Sequence, residues 1–346
     1  MRGAGLTPLT TLEAAWQVQG HLARLRAVQA SASQLGEAIT SGPRVIAVRT
    51  LPLFTLLYPR AEALGAVGAS LPHVLLTRRC VLVQFLQRGQ PKTLLFNPSD
   101  PTAPSRAPFF QRQAAGAALM RRTLERRFEP LGEQLQGLGL SPGSIDYLAF
   151  NHLELEDVRQ AVDEFREATL LAPESEWEDT TQVHPAARAW QVPQGAAGVP
   201  RDRVQLTAGD VMLGDGVYLI RTPGRTRGHQ TLILSTASGV WGVSANGVTT
   251  DSWSPLDSQL RGLARACRQR GLDVAPSASV LSCGADQHAS MVLERSLVSR
   301  APHAPAFVQL LPASELTASP IAPGLSPTVT LGGIHCGRLA LTGQPA

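Results

Sequence analysis

The chain has 346 residues, of which 43% are hydrophobic and 17% are charged, a balance typical of a globular protein with a sizeable core. The net charge of +4, from 31 basic and 27 acidic residues, is too small and too scattered to indicate binding to nucleic acid or to a membrane. The N-terminus lacks an apolar signal region, and no run approaches the roughly 18 apolar residues of a membrane span, so a soluble cytoplasmic protein is expected.

The lysine and cysteine content further limits the source of the protein and the kinds of site that it can contain. Lys92 is the only lysine, so nearly all of the positive charge is arginine, which indicates a GC-rich and therefore bacterial genome. The four cysteines are Cys80, Cys267, Cys283 and Cys336. Because they are far apart and form no CxxC pair, neither a cysteine zinc site nor a disulfide framework is expected.

The first half of the chain predicts a helix followed by paired strands. Apolar residues recur at helical spacing over 9–40, and Ser41-Gly42-Pro43 ends that helix. Strand-like segments follow at 44–54 and 74–86, and the second continues through the turn 88-RGQ into 92–97 as a hairpin. A Pro/Ser loop and a basic amphipathic helix over 110–136 come next.

The second half alternates short strands with helices. In chain order, the pattern predicts a buried strand at 145–150, a helix at 156–168, a strand at 169–173, a long loop at 182–203, two strands within 203–224, a hairpin at 231–246, a helix at 257–270, a strand at 278–283 and a last strand at 328–333. Hairpins outnumber βαβ units in this order. The fold class is therefore α/β, with two mixed or antiparallel sheets and helices outside them.

The segment 151-NHLELED places potential metal ligands directly after a buried strand. If the chain stays extended, His152 and Glu154 lie on one side and could converge on one ion. The same residues permit a second interpretation, in which Glu154, Glu156 and Asp157 only cap and charge the N-terminus of the following helix. Spacing alone leaves both interpretations open.

A second segment, 220-IRTPGRTRGHQTLIL, favours the first interpretation. One strand runs into a tight turn containing Pro223-Gly224 and Gly228-His229, and another strand leaves it. The glycines permit a sharp turn that brings His229 to the ends of the strands.

Together, 151-NHLELED, 222-TPGRTRGH, 244-SANGV and 284-GAD resemble the metal motifs of the metallo-β-lactamase superfamily, especially its lactonase-like and glyoxalase-like hydrolases. The resemblance covers roughly residues 70–295. It implies a four-layer αβ/βα sandwich of two mixed β-sheets with helices outside. We expect a metallo-β-lactamase-like domain at 71–300, preceded by a helical and strand extension at 1–70. A Pro-rich segment at 301–346 would complete or flank the sheet.

The departures from the family motif concern the metal ligands. By the resemblance, Glu154 stands in place of a histidine, Glu156 in place of an aspartate and Asp157 in place of a third histidine. Asn246 stands where the bridging aspartate belongs. Ala285 stands where the last histidine belongs, with Asp286 beside it.

The resemblance therefore implies one divalent metal held by His152, Glu154 and His229. Two histidines and a glutamate suit catalytic zinc, with iron or manganese as alternatives. A second metal would rely on Glu156, Asp157, Asn246 and Ala285, a weak set because alanine cannot bind a metal and asparagine binds it weakly. Asp286, His288 or Asp251 would have to replace the missing ligand.

Three functions follow from the resemblance. The first is metal-dependent hydrolysis of a small-molecule ester, lactone, thioester or amide, in which Glu156 or Asp157 accepts a proton from a metal-bound water. The second is a non-catalytic member of the fold that has lost its metal site and acts as a binding or scaffolding module. The third is a non-haem iron oxidoreductase, because the spacing N-H-x-E is similar to that of flavodiiron proteins, although no flavodoxin-like domain follows. The region 1–70 is a candidate surface for a homodimer.

Overall fold

The computed structural model describes residues 5–65, 72–112, 115–182, 185, 187–277 and 284–340. Its strands, in chain order, are β1 Thr7–Leu9, β2 Ala47–Pro59, β3 His73–Gln87, β4 Gln90–Phe96, β5 Tyr147–Ala149, β6 Thr169–Pro173, β7 Val204–Thr207, β8 Asp210–Gly214, β9 Val217–Arg221, β10 Gln230–Thr236, β11 Gly239–Ser244, β12 Arg300–Ala301, β13 Ala304–Val308, β14 Leu310–Pro312, β15 Ser314–Thr317 and β16 His335–Gly337. Its α-helices are α1 Glu13–Trp16, α2 His21–Ser41, α3 Arg60–Leu64, α4 Ala103–Arg106, α5 Pro108–Gln111, α6 Ala115–Leu124, α7 Leu131–Gly137, α8 Val158–Glu164, α9 Glu174–Thr181, α10 Leu263–Arg270 and α11 Gly284–Leu297.

Two large mixed sheets form the centre of the molecule. One has the strand order β1-β8-β9-β10-β11-β14, and the other has the order β16-β2-β3-β4-β5-β6-β7, with β15 paired to β3. Strands β4 to β7 run parallel to one another, and β11 runs parallel to β14. The remaining pairs in the two sheets are antiparallel hairpins or crossovers, as the predominance of hairpin patterns predicts.

Three apolar layers explain how the sheets are covered. Side chains such as Val83 and Phe85 of β3 meet Leu219 and Leu232 of the other sheet, and this cluster fills the space between the two sheets. The outer face of the first sheet packs on α1, α2 and α11. The outer face of the second sheet packs on the helices between residues 103 and 181 and on the loop at 188–199. The predicted four-layer αβ/βα sandwich is confirmed.

Strands from both ends of the chain take part in the sheets. Strand β2 pairs with β3 along nearly its whole length, and β1 pairs with β8. From the C-terminal segment, β14 extends the first sheet, while β15 and β16 join the second. The division at residues 70 and 300 thus falls between elements that share the same sheets.

Several element predictions differ from the structure. The helix expected at 110–136 is three short helices, because the chain leaves α6 to pair with β2 at Thr55 before Pro130 starts α7. The helix expected at 9–40 begins only at His21, after β1 and the one-turn helix α1. The strand expected at 328–333 lies instead at His335–Gly337, and the one expected at 278–283 falls outside the described residues.

Candidate functional site

The two motif segments meet where strands of both sheets end. His152 follows β5, while His229 precedes β10, and their ring centroids lie 6.0 Å apart. Asn151 holds the segments together: its side-chain amide donates to the carbonyl oxygens of Gln230, at 2.7 Å, and Val243, at 3.0 Å. The structure therefore brings the two predicted histidines together.

Glu154 binds a guanidinium. Its Oε2 accepts a hydrogen bond from Nε of Arg225 at 3.1 Å, and Nη2 of Arg225 donates to the Tyr58 hydroxyl at 3.1 Å. Glu154 is 4% exposed and Arg225 is 8% exposed. Although burial opposes its charge, Tyr58 and Glu154 raise the pKa of Arg225 above its ordinary value. The guanidinium is therefore charged, and Glu154 is its counter-charge.

Glu156 also binds an arginine. Its Oε1 accepts hydrogen bonds from Nη2 of Arg78 at 2.6 Å and from the Ser99 hydroxyl at 2.9 Å. Burial raises the pKa of Glu156 to about 7, and Arg78 opposes that rise. Its Oε2 is buried and has no hydrogen-bond partner within the described part of the chain.

Asp157 is the N-cap of α8. Its carboxylate accepts from the backbone N–H of Arg159 at 3.1 Å and forms ion pairs with the side chains of Arg159, at 2.5 Å, and Arg106, at 2.7 Å. Burial acts to raise the pKa of Asp157, but these hydrogen bonds outweigh it and hold the pKa below its ordinary value. For Asp157, the geometry matches the helix-capping interpretation of the motif.

Burial lowers the pKa of both imidazoles. Nε2 of His229 accepts from the backbone N–H of Ala245 at 3.3 Å, so its proton is on Nδ1, which donates to the Thr222 carbonyl oxygen at 3.0 Å. Burial lowers the pKa of His229 to about 3, and burial together with Arg225 lowers that of His152 well below its usual range. Nδ1 of His152 is buried without a hydrogen-bond partner among the described residues.

The residues expected at a second metal are engaged elsewhere. The amide nitrogen of Asn246 donates to Oε1 of Glu294 at 2.7 Å, and its oxygen accepts from the backbone N–H of Arg225 at 3.2 Å. Asp286 forms an ion pair with Arg24 at 2.7 Å, at the edge of a separate cleft.

Two buried glutamates that the sequence analysis did not single out also belong to the site. Glu176, at the start of α9, accepts from the Leu153 N–H at 2.7 Å and from the Thr226 hydroxyl at 2.6 Å, so one carboxylate connects both motif segments. Glu294 accepts from four donors, the side chains of Thr231, Ser244, Asn246 and Trp253. The acidic run 174-ESEWED was visible in the sequence, but no spacing rule connects it to residues 153 and 226.

The tryptophans Trp177, Trp190 and Trp253 are packed in the interior. Trp190 stacks on Phe109 at a centroid distance of 3.9 Å. Trp253 is fully buried, and its indole N–H donates to Oε2 of Glu294 at 2.7 Å. Trp177 lies in the same apolar cluster as Trp190. His184 falls outside the described residues.

The glycines of the turn are required by packing. A Cβ at Gly228 would lie 2.5 Å from the backbone nitrogen of Glu176. At Gly224, where φ is +154°, a Cβ would lie 2.5 Å from Cα of Gln287. Neither position can accept a side chain without moving α9 or α11.

Comparisons with known proteins agree with this architecture. No protein-family model matches the sequence, and no curated protein matches it either. Among solved structures, the chain is similar to a Staphylococcus aureus protein described as a probable metal-dependent hydrolase, with a TM-score of 0.50 and 12% identity over 73% of this chain and 84% of that one. It is also similar to a quorum-quenching N-acyl homoserine lactone lactonase, with a TM-score of 0.47 and 16% identity over 66% and 87% of the two chains. A dizinc quorum-quenching lactonase gives a TM-score of 0.37 and 12% identity over 57% and 69%.

The chain has the metallo-β-lactamase fold, as its motifs predicted. Its side chains do not fit the metal centre that this fold implies. Within the part of the chain that the structure describes, no three His, Cys, Asp or Glu side chains form a group that could hold a metal ion. Glu154 binds Arg225, and the Nε2 lone pair of His229 accepts a backbone N–H. The ligand set inferred from the sequence remains a prediction.

Proposed function

We propose that this chain is a non-catalytic member of the metallo-β-lactamase fold that acts as a binding module. The observation that carries the proposal is the buried pair between Glu154 and Arg225, at 3.1 Å. The guanidinium supplies to Glu154 the positive charge that a metal ion would otherwise supply. The same replacement recurs at Glu156, which binds Arg78, and at Asp157, which binds Arg106 and Arg159.

Electrostatics supports this proposal. Arg225 and Arg78 both lower the pKa of His152, so each lies close enough to oppose a positive charge on that imidazole. A divalent cation at His152 would meet the same two charges. It would also have to separate Glu154 from Arg225, and breaking a buried ion pair costs about 3–5 kcal/mol. That cost alone weakens metal affinity by a factor of about 10² to 4 × 10³.

The space beside the histidines also favours a role other than hydrolysis there. The cavity lined by Tyr58, His152 and Arg225 has a volume of only ≈ 30 Å³. Pockets for small-molecule ligands usually measure about 300–1,000 Å³. A cavity of this size holds water but not an ester or a lactone.

A metallo-hydrolase is the second candidate, favoured by one observation. Nδ1 of His152 and Oε2 of Glu156 are buried without hydrogen-bond partners among the described residues, and such atoms are frequently satisfied by an ion or by water. Its substrate would be a small ester, lactone, thioester or amide.

Elemental analysis of chelator-free protein distinguishes the two candidates. The binding module should contain well under 0.1 equivalent of zinc, iron or manganese per chain, and none of these ions should raise its melting temperature. It should also leave p-nitrophenyl acetate and an N-acyl homoserine lactone unhydrolysed. About one equivalent of zinc, with hydrolysis that Glu154→Ala abolishes, would establish the hydrolase instead. One or two equivalents of iron with visible absorbance would establish the oxidoreductase.

A further inference from the structure

A larger cleft lies on the other side of the turn that carries Arg225. Its volume is ≈ 610 Å³, within the range typical of ligand sites, and its walls come from α1, α2, β8, the end of β9 and the turn itself. The turn contributes Pro223, Gly224 and Arg227 to this cleft, while Arg225 of the same turn faces the small cavity at His152. The cleft is therefore separate from the ion pairs that Glu154 forms with Arg225 and Glu156 forms with Arg78.

Asp210 supplies a buried carboxyl group to the cleft. It is 6% exposed, and its Oδ1 accepts from the backbone N–H of Arg221 at 2.6 Å. Burial raises the pKa of Asp210 to about 7; Arg221 opposes that rise, and the Glu13 carboxylate, which also lines the cleft, adds to it. A cationic group bound beside Asp210 would lower that pKa and favour the carboxylate form.

Trp16 adds a donor and an apolar surface. Its indole ring lines the cleft, and its Nε1 is buried without a hydrogen-bond partner in the described part of the chain. Because an unpartnered buried N–H is costly, an acceptor on a bound molecule would relieve that cost. The ring face suits an apolar or cationic group.

The arginines of the cleft differ in how they are neutralised. Arg24 pairs with Asp286, and Arg227 pairs with Glu178 and Asp179. Arg221, in contrast, has no carboxylate within ion-pair distance among the residues that the structure describes. The groups left to a ligand are therefore the carboxylates of Asp210 and Glu13, the guanidinium of Arg221, and the indole N–H of Trp16.

We propose that this cleft binds a small zwitterion, an amino acid or a short peptide, with its ammonium group at Asp210 and Glu13 and its carboxylate at Arg221 and the Trp16 N–H. A buried carboxyl group and an exposed guanidinium in one cleft match the two charges of such a molecule, and the indole ring covers its apolar part. The inference goes beyond the proposed function, since the cleft does not depend on whether a metal binds at His152.

The first experiment is a thermal-shift screen of the full chain with the twenty L-amino acids and a set of dipeptides at 5 mM. The best compound is then titrated calorimetrically beside its N-acetyl and amide derivatives, which each lack one charge. Both derivatives should bind at least tenfold more weakly. If no member of the screen binds, or if either derivative binds as tightly as the parent compound, the proposal is wrong.

Variants then locate the binding site. Asp210→Asn and Arg221→Gln should each weaken binding at least tenfold, while the control Arg300→Gln, also an exposed arginine at a strand, should leave it unchanged. Arg221 is exposed and keeps its backbone N–H for Asp210, so Arg221→Gln should fold even if Asp210→Asn does not. Unaltered binding by Arg221→Gln would place the ligand elsewhere and overturn the proposal.

Discussion

Replacing Arg225 by methionine tests whether a guanidinium takes the place of a metal. The change removes the hydrogen bonds to Glu154 and to the Tyr58 hydroxyl and leaves a carboxylate that is 4% exposed without its counter-charge. Removing one partner of a buried ion pair typically costs about 3–5 kcal/mol, because the remaining charge stays buried. We expect a loss of that size in the free energy of unfolding, measured by urea denaturation at pH 7.

The double variant Arg225→Met/Glu154→Gln provides the matched control. It removes both charges together and should recover most of the lost stability, since replacing both partners is far less costly than removing one. Any stabilisation by Zn²⁺ should appear only in the single variant, in which Glu154 lies beside His152 without its arginine. At a zinc concentration 100 times the dissociation constant, that stabilisation amounts to about 2.7 kcal/mol.

Two outcomes would refute this reasoning. If Arg225→Met loses less than about 1 kcal/mol, the pair is no stronger than an exposed salt bridge. If Zn²⁺ stabilises the unmodified protein as much as the single variant, Arg225 does not compete with a metal.

Three further predictions concern other buried carboxylates. Burial raises the pKa of Asp210 from 3.8 to about 7. Between these two pH values the folded state holds a proton that the unfolded chain releases. The contribution of Asp210 to stability is therefore full below about pH 4 and is lost as the pH rises to about 7. Asp210→Asn should flatten that part of the profile of unfolding free energy against pH, and an unchanged slope would exclude Asp210 as its source. Glu294→Gln puts an amide N–H against the Trp253 indole N–H and should lower the free energy of unfolding, measured by urea titration, by about 1–3 kcal/mol. An unchanged free energy of unfolding would show that the hydrogen bonds to Glu294 contribute little to stability. Asp157→Ala removes the N-cap of α8 and should cost about 1–2 kcal/mol, while Asp157→Asn, which can still cap, should recover at least half of that.

Much of the fold was predictable because its signals are local. The hairpin at 74–96 and the buried strand before Asn151 follow from hydrophobic alternation and turn residues, and the structure has both. The helix at 110–136 was wrong in its continuity, since the return of residues 126–128 to β2 is a tertiary contact. No periodicity within that segment indicates such a contact.

The partners of the site residues were less predictable than their positions. The resemblance to the family motifs implied that His152 and His229 lie near each other, and their ring centroids are 6.0 Å apart. Glu154 and Arg225 are 71 positions apart, and Arg78 lies 78 positions before Glu156, so only the folded chain shows which charge neutralises which. A carboxylate next to a histidine in sequence is equally compatible with a metal or with an arginine.

Gly224 and Gly228 explain why the turn motif is required by packing, whatever binds beside it. Both glycines are fixed by close contacts to α11 and α9, and Thr226 between them is fixed by its hydrogen bond to Glu176. These constraints act on any chain with this backbone, whatever its chemistry. In this fold, a match to TPGxTxGH therefore indicates the path of the main chain. The residue at position 225 indicates how the charge of Glu154 is neutralised.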